Sequence, residues 1–211
     1  MAVSPDESVA PLRELRARWS ALLPDADPLF EELVSRWGAD DRHYHDLRHL
    51  AEALAALDTL GGRPLERLAL WFHDAVYGLG PGADERASAQ LAVDRLPEHG
   101  LPQPDVDEVR RLVLVTEHHS PAPGDLPAAR VSDADMAILA SDPGRYADSV
   151  RGIRAEYAHY DDEAFRRGRV AVLRDFLARD RIFHTPTGLD RWERPARRNI
   201  ADELRWRDVA G

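Results

Sequence analysis

Apolar positions recur every three to four residues along almost the whole chain, and no run alternates apolar and polar residues as a strand would. Leu12, Leu15, Trp19 and Leu22 form a first stripe, with Pro11 suited to an opening helical turn. Residues 1–10 carry no such stripe and are expected to form a flexible lead-in to a single domain over 11–209. A second helix is predicted over about 27–37, a third over 44–60 before Gly61–Gly62, and a fourth through "RPLERLALWFHDAVYG" to Gly78. Further helices are predicted over about 84–96, 104–119, 133–140, 143–158, 162–179 and 189–207. The expected fold is therefore all-α, a single-domain helical bundle.

Composition narrows the chemistry. Of 211 residues, 44% are hydrophobic and 31% charged, which is ordinary for a globular chain. No apolar run is long enough to span a bilayer, and "MAVSPDESVAP" lacks a secretion signal, so a cytoplasmic protein without a membrane partner is expected. Cysteine is absent, so any metal must be bound through nitrogen and oxygen. A net charge of -10 argues against a stable nucleic-acid complex. All 28 basic residues are arginine, which excludes lysine-dependent phosphate loops and Schiff-base chemistry.

Against this background, histidines and aspartates interrupt apolar helix faces at four places. His73 and Asp74 stand side by side in the fourth helix, where a buried polar pair must be hydrogen-bonded or bound to metal. His45 and His49, one helical turn apart, share a face close to the buried side of the third helix, while His43 precedes it. In "LVLVTEHHS", His119 continues the inward stripe of Val109, Leu112, Val113 and Thr116, and His118 lies toward the flank. Asp135 lies one turn before Ile138 and Leu139, with Asp133 turned elsewhere. Ser132 followed by Asp135 also fits a variant capping box. Tyr146, Tyr157, Tyr160 and the five tryptophans fit ordinary core packing better than a base-stacking surface.

The ordered set of histidine, His-Asp, a histidine pair and aspartate resembles the HD-domain superfamily of metal-dependent phosphohydrolases. More closely, "RHYHDLRHL", "WFHDAVYG", "ADERASAQLA", "DADMAIL" and "GRVAVLRDFLARDRIFHTP" look like a group of HD phosphohydrolases without a settled substrate, over about residues 10–207. The resemblance implies a helical bundle with His49, His73, Asp74 and Asp135 as metal ligands. "YHDLRHL" is also similar to an element of cyclic-nucleotide phosphodiesterases, which implies a proton-donor role for His45. Asp46 replaces that family's asparagine. Glu85, 11 residues after Asp74, would lie near the activated water, although an acidic residue at a helix start is favoured by the dipole alone.

The expected activity is metal-dependent hydrolysis of a phosphate ester or anhydride, of a nucleotide or other small phosphorylated metabolite, through metal-activated water. One or two divalent ions per chain (Mn, Fe, Ni, Co, Zn or Mg) are implied. His118 or His119 would hold a second ion or contact the phosphate, and Arg42 and Arg169 would bind substrate. A di-iron oxygenase and a non-catalytic nucleotide-binding module are the alternatives. Substrate, metal and oligomeric state are not legible in the sequence.

Overall fold

The computed structural model describes residues 5–80 and 82–209, with side chains described over 12–80 and 82–206. Eleven α-helices and no strand occur among the described residues: α1 (Pro5–Leu22), α2 (Asp27–Trp37), α3 (Leu47–Thr59), α4 (Pro64–Phe72), α5 (Ala83–Arg95), α6 (Gln103–Leu114), α7 (Leu126–Met136), α8 (Pro143–Glu156), α9 (Asp162–Ala178), α10 (Pro186–Arg191) and α11 (Glu193–Val209). Short 3₁₀ turns continue α5, α6 and α7 over 96–99, 115–117 and 137–140. The all-helical expectation holds.

Several boundaries differ from the periodic pattern. α1 begins at Pro5, upstream of Pro11, while residues 1–4 lie outside the described residues. α3 begins at Leu47 because the Asp46 carboxylate caps it, accepting the amides of Arg48 and His49 at 2.9 and 3.0 Å. His45 therefore precedes the helix rather than sharing a face of it with His49. α4 stops at Phe72, well short of Gly78. The capping-box reading of Ser132 and Asp135 fails because both lie inside α7, whose cap is Asp125. The single C-terminal helix is instead two, α10 and α11, meeting near Trp192.

The larger core gathers α1–α7 around Trp19, Trp37, Trp71, Phe30 and Phe72, each at most 1% exposed. Burying side chains of this size contributes roughly 1.5–3 kcal/mol apiece. Two indoles also satisfy their polar edge: Trp19 Nε1 donates to the Ala26 carbonyl and Trp37 Nε1 to that of Trp71. A smaller core joins Met136, Leu139 and Tyr146 to Leu173, Ile182, Phe183, Ala196 and Ile200, and Trp192 packs against both.

α7 links the two cores through a carboxylate. Asp133, fully buried, accepts the amides of His184 and Thr185 at 2.8 Å each and the Thr185 hydroxyl at 2.7 Å. Gly188 is required beside it, since a Cβ there would stand 2.5 Å from Asp133 Oδ2. Asp133→Ala strands three donors, two of them buried. It is expected to lower the free energy of unfolding by about 3 kcal/mol, measured by urea denaturation. A change below about 1 kcal/mol would show that the segment finds other partners.

Candidate metal centre

The His-Asp pair sits where α4 ends, and neighbouring side chains hold it there. Ser88 of α5 binds both backbone groups of Val76, donating to its carbonyl and accepting its amide. Asp84 accepts the amides of Gly78 and Leu79. Arg42 donates to the carbonyls of His45 and Ala75. These contacts capture groups that would otherwise extend the helix. On a continuing helix, adjacent side chains diverge by about 100°. The turn after Phe72 lifts that constraint, and Asp74 Oδ2 lies 3.2 Å from His73 Nε2.

His49 from α3, His73 from the end of α4 and Asp135 from α7 converge. Their Nε2, Nε2 and Oδ1 atoms are separated by 3.3 Å between the imidazoles, and by 3.1 and 3.4 Å from His49 and His73 to Asp135. One atom from each residue lies within 4.8 Å of the other two, the spacing of donors that share a cation. Trp37 supports both rings from below, 5.2 Å from His73 and 6.2 Å from His49 between centroids. His73 Nδ1 lies 2.7 Å from the Leu70 carbonyl, so it donates there and leaves the Nε2 lone pair pointing into the cluster.

Electrostatics favour a cation at this point. Burial works against a charged His73, yet Asp74 and Asp135 outweigh it and hold the imidazole pKa well above its ordinary value. Burial likewise opposes ionisation of Asp74 and Asp135, but His73 keeps Asp74 below the usual carboxylate range, and His73 and His49 do so for Asp135. Two largely buried carboxylates thus demand positive charge between them, which a proton on His73 or a metal ion can supply. Two imidazoles and two carboxylates suit a borderline divalent ion. The residues present fit such an ion.

His119 reaches the same place by a route its helical periodicity did not anticipate. α6 ends at Leu114, and His119 adopts a left-handed conformation, φ 49°, in the turn that follows. Its Nε2 lies 3.6 Å from Asp135 Oδ2 and its Nδ1 3.3 Å from Ser132 Oγ, and burial lowers its pKa. His118, with its side chain 77% exposed, is not part of the cluster.

A cavity of about 620 Å³ opens onto this cluster, lined by Asp74, His119, Asp135, His45 and Glu85 among others. Glu156, which the sequence analysis missed, governs His45. One carboxylate oxygen accepts the successive amides of His43, Tyr44 and His45 at 2.8–2.9 Å. The other lies 2.7 Å from His45 Nδ1 and accepts the Tyr77 hydroxyl at 3.1 Å. Burial opposes this charge, but His45 and the amides hold the Glu156 pKa at about 2. Burial also opposes protonation of His45, and Glu156 prevails and raises its pKa. Sequence offered little signal for Glu156, a lone acidic residue at the end of a charged helix.

Glu85, in the first turn of α5, has a buried Oε2 without a hydrogen-bond partner, and burial, with Asp74 nearby, raises its pKa. The two arginines expected to bind substrate are otherwise engaged. Arg42 holds backbone carbonyls and packs over Trp37 and Tyr77, away from the cavity lining. Arg169 lines the cavity but forks onto Glu203 with two 3.0 Å bonds. Tyr157 and Tyr160 belong to the lining rather than the core, correcting that expectation, whereas Tyr146 is buried and donates to Glu203 at 2.6 Å.

Comparison of the chain with protein-family models, with curated proteins and with solved structures finds no match. The geometry of the cluster therefore carries the functional reading.

Titration with Mn²⁺ or Co²⁺ is expected to show saturable binding and to raise the melting temperature. An ion at a hundredfold its Kd adds about 2.7 kcal/mol, or roughly 5–10 °C at this chain length. His73→Ala and Asp135→Ala should each remove that increase. The same increase in both variants would place the ion elsewhere.

Proposed function

We propose that the protein is a metal-dependent hydrolase of small phosphate esters, of the HD-domain type that its motifs resemble. The observation that carries this reading is the convergence of His49, His73, Asp74 and Asp135, whose two carboxylates line one cavity together with a separately positioned histidine, His45. When bound, a divalent ion supplies Lewis acidity toward a phosphoryl oxygen and lowers the pKa of water. His49, His73, Asp74 and Asp135 would hold it.

The chain's own groups account for proton movement. Glu156 stays ionised through the neutral range and receives Nδ1–H of His45, so the opposite nitrogen, Nε2, is the one available to the substrate. A protonated His45 then delivers its Nε2 proton to the departing alkoxide. Glu85, with a free carboxylate oxygen and a raised pKa, is placed to accept a proton from the attacking water. Tyr77, bonded to the same Glu156 oxygen and 4.8 Å from the His45 ring, limits rotation of that imidazole.

His119 near Asp135 favours a second ion, and with it the alternative of a di-iron oxygenase. Two irons per chain with substrate-dependent oxygen uptake would select that alternative.

His45→Ala is expected to lower kcat by about 10²–10⁴-fold on phosphate esters while metal content stays at the wild-type value. Because Glu156 raises the His45 pKa, the acid form persists above the ordinary histidine range and activity falls as pH rises through the raised value. Glu156→Gln should move that alkaline limb to lower pH. Hydrolysis that survives both His73→Ala and Asp135→Ala would overturn the proposal.

A further inference from the structure

We infer that the substrate of this site carries a single phosphate on an apolar, ring- or chain-bearing alcohol, and that Gly168 on α9 keeps open the space for that organic part. The inference rests on the hydrolase reading above and narrows it.

Three independent features of the cavity support it. Its volume, about 620 Å³, far exceeds what a phosphate group needs and falls among sites for whole small molecules. Beyond the ligand cluster most of its exposed lining is apolar, including Ile138, Leu139, Ile153, Phe165, Val172 and Phe176, with Thr116, Ser149, Arg167 and Arg169 among them. Val172 and Tyr160 are among the large apolar side chains left exposed, 47% and 49%, and both line this cavity. An apolar occupant would remove them from water.

Gly168 supplies the second feature. Glycine inside a helix costs about 0.5–1 kcal/mol relative to alanine, and α9 has no structural use for one here. Its φ is not positive, and a Cβ built at 168 would meet no atom within 4 Å. That Cβ would project beside Ala164, one turn earlier on the same cavity wall. Gly168, exposed, and Ala164 leave a shallow trough in that wall.

Charge disfavours a polyphosphate. The arginines on the lining, Arg167 and Arg169, are already paired with Glu163 and Glu203. Arg154 and Arg166, on the neighbouring helices, pair with Asp162 and Glu163. A second and third phosphate would meet Asp74, Glu85 and Asp135 in the cavity, while of the lining arginines Arg169 is held by buried Glu203 and Arg167 is exposed and shares Glu163 with Arg166.

The test compares kcat/KM, with Mn²⁺ present, for three compounds: 3-phenylpropyl phosphate, glycerol 3-phosphate and ATP. The first two release alkoxides of similar kind, so their ratio reports binding of the organic part. The wild type is expected to favour the phenylpropyl ester over glycerol 3-phosphate by at least 30-fold, and over ATP by more. Gly168→Leu should reduce the phenylpropyl-to-glycerol ratio at least tenfold, chiefly through KM, with bound Mn²⁺ at the wild-type level. Preference for glycerol 3-phosphate or ATP, or an unaltered ratio in the variant, overturns the inference. If none of the three is hydrolysed, the hydrolase reading fails, and calorimetric binding of 3-phenylpropylphosphonate against inorganic phosphate decides the apolar preference alone. Tighter phosphonate binding that Gly168→Leu abolishes upholds it, and equal binding rejects it.

Discussion

Two imidazole nitrogens face each other 3.3 Å apart across a shared carboxylate, and much of the site's architecture serves to sustain that juxtaposition. Left to itself, buried His73 would stay neutral, and the largely buried Asp74 and Asp135 would protonate. Neither happens because the charges are matched within one pocket. His73 donates through Nδ1 to its own helix, Trp37 backs both rings, and Asp135 enters from α7, which contacts both α3 and α4. The tryptophan core is therefore a support for the ligand set as well as a source of stability. A cavity opened under Trp37 would loosen the two rings that the cluster needs held close.

The proton-donor arm has a separate foundation. Glu156 comes from the end of α8 and ties down the turn before α3 through three consecutive amides, then uses its second oxygen to orient His45. A single carboxylate thus fixes both the backbone that carries His45 and the tautomer of its ring. Glu156 bonds to His45 and not to the four ligand residues, so ion affinity and proton delivery are linked only through the charges of Asp74 and Asp135 that His45 feels. Cation binding depends on α3, α4 and α7, while the acid depends on the packing of α8 against residues 43–45.

Periodicity made the helical class legible, and the positions of α2, α5, α8 and α9 follow it closely. It failed where side chains from elsewhere captured the backbone. "WFHDAVYG" keeps a helical pattern, yet Ser88, Asp84 and Arg42 take the polar groups of residues 75–79, so the helix stops just before the pair that carries the chemistry. Asp46 is the contrary case, because an aspartate before Leu47 is a readable cap that the histidine spacing obscured. His119 was placed inward by extending a helix that in fact ends five residues earlier, and it reaches the cluster through a left-handed turn instead. The arginines show a different limit. Sequence counts charges, but only geometry shows that Arg42 and Arg169 are already engaged.

That engagement changes how an acidic chain could handle an anionic substrate. With Arg42 held by carbonyls and Arg169 by a carboxylate, the strongest demand for positive charge at this cavity lies at the point enclosed by His49, His73, Asp74 and Asp135. The rest of its wall can contribute desolvation and shape, and desolvation is most effective against apolar surface. A site built in this way separates its two tasks by chemistry. The cation recognises the phosphate that every candidate ester shares, and α8 and α9 judge what the phosphate is attached to. Selectivity would then reside in residues such as Gly168 and Ala164, which bear no reactive group and which a search for catalytic motifs would pass over.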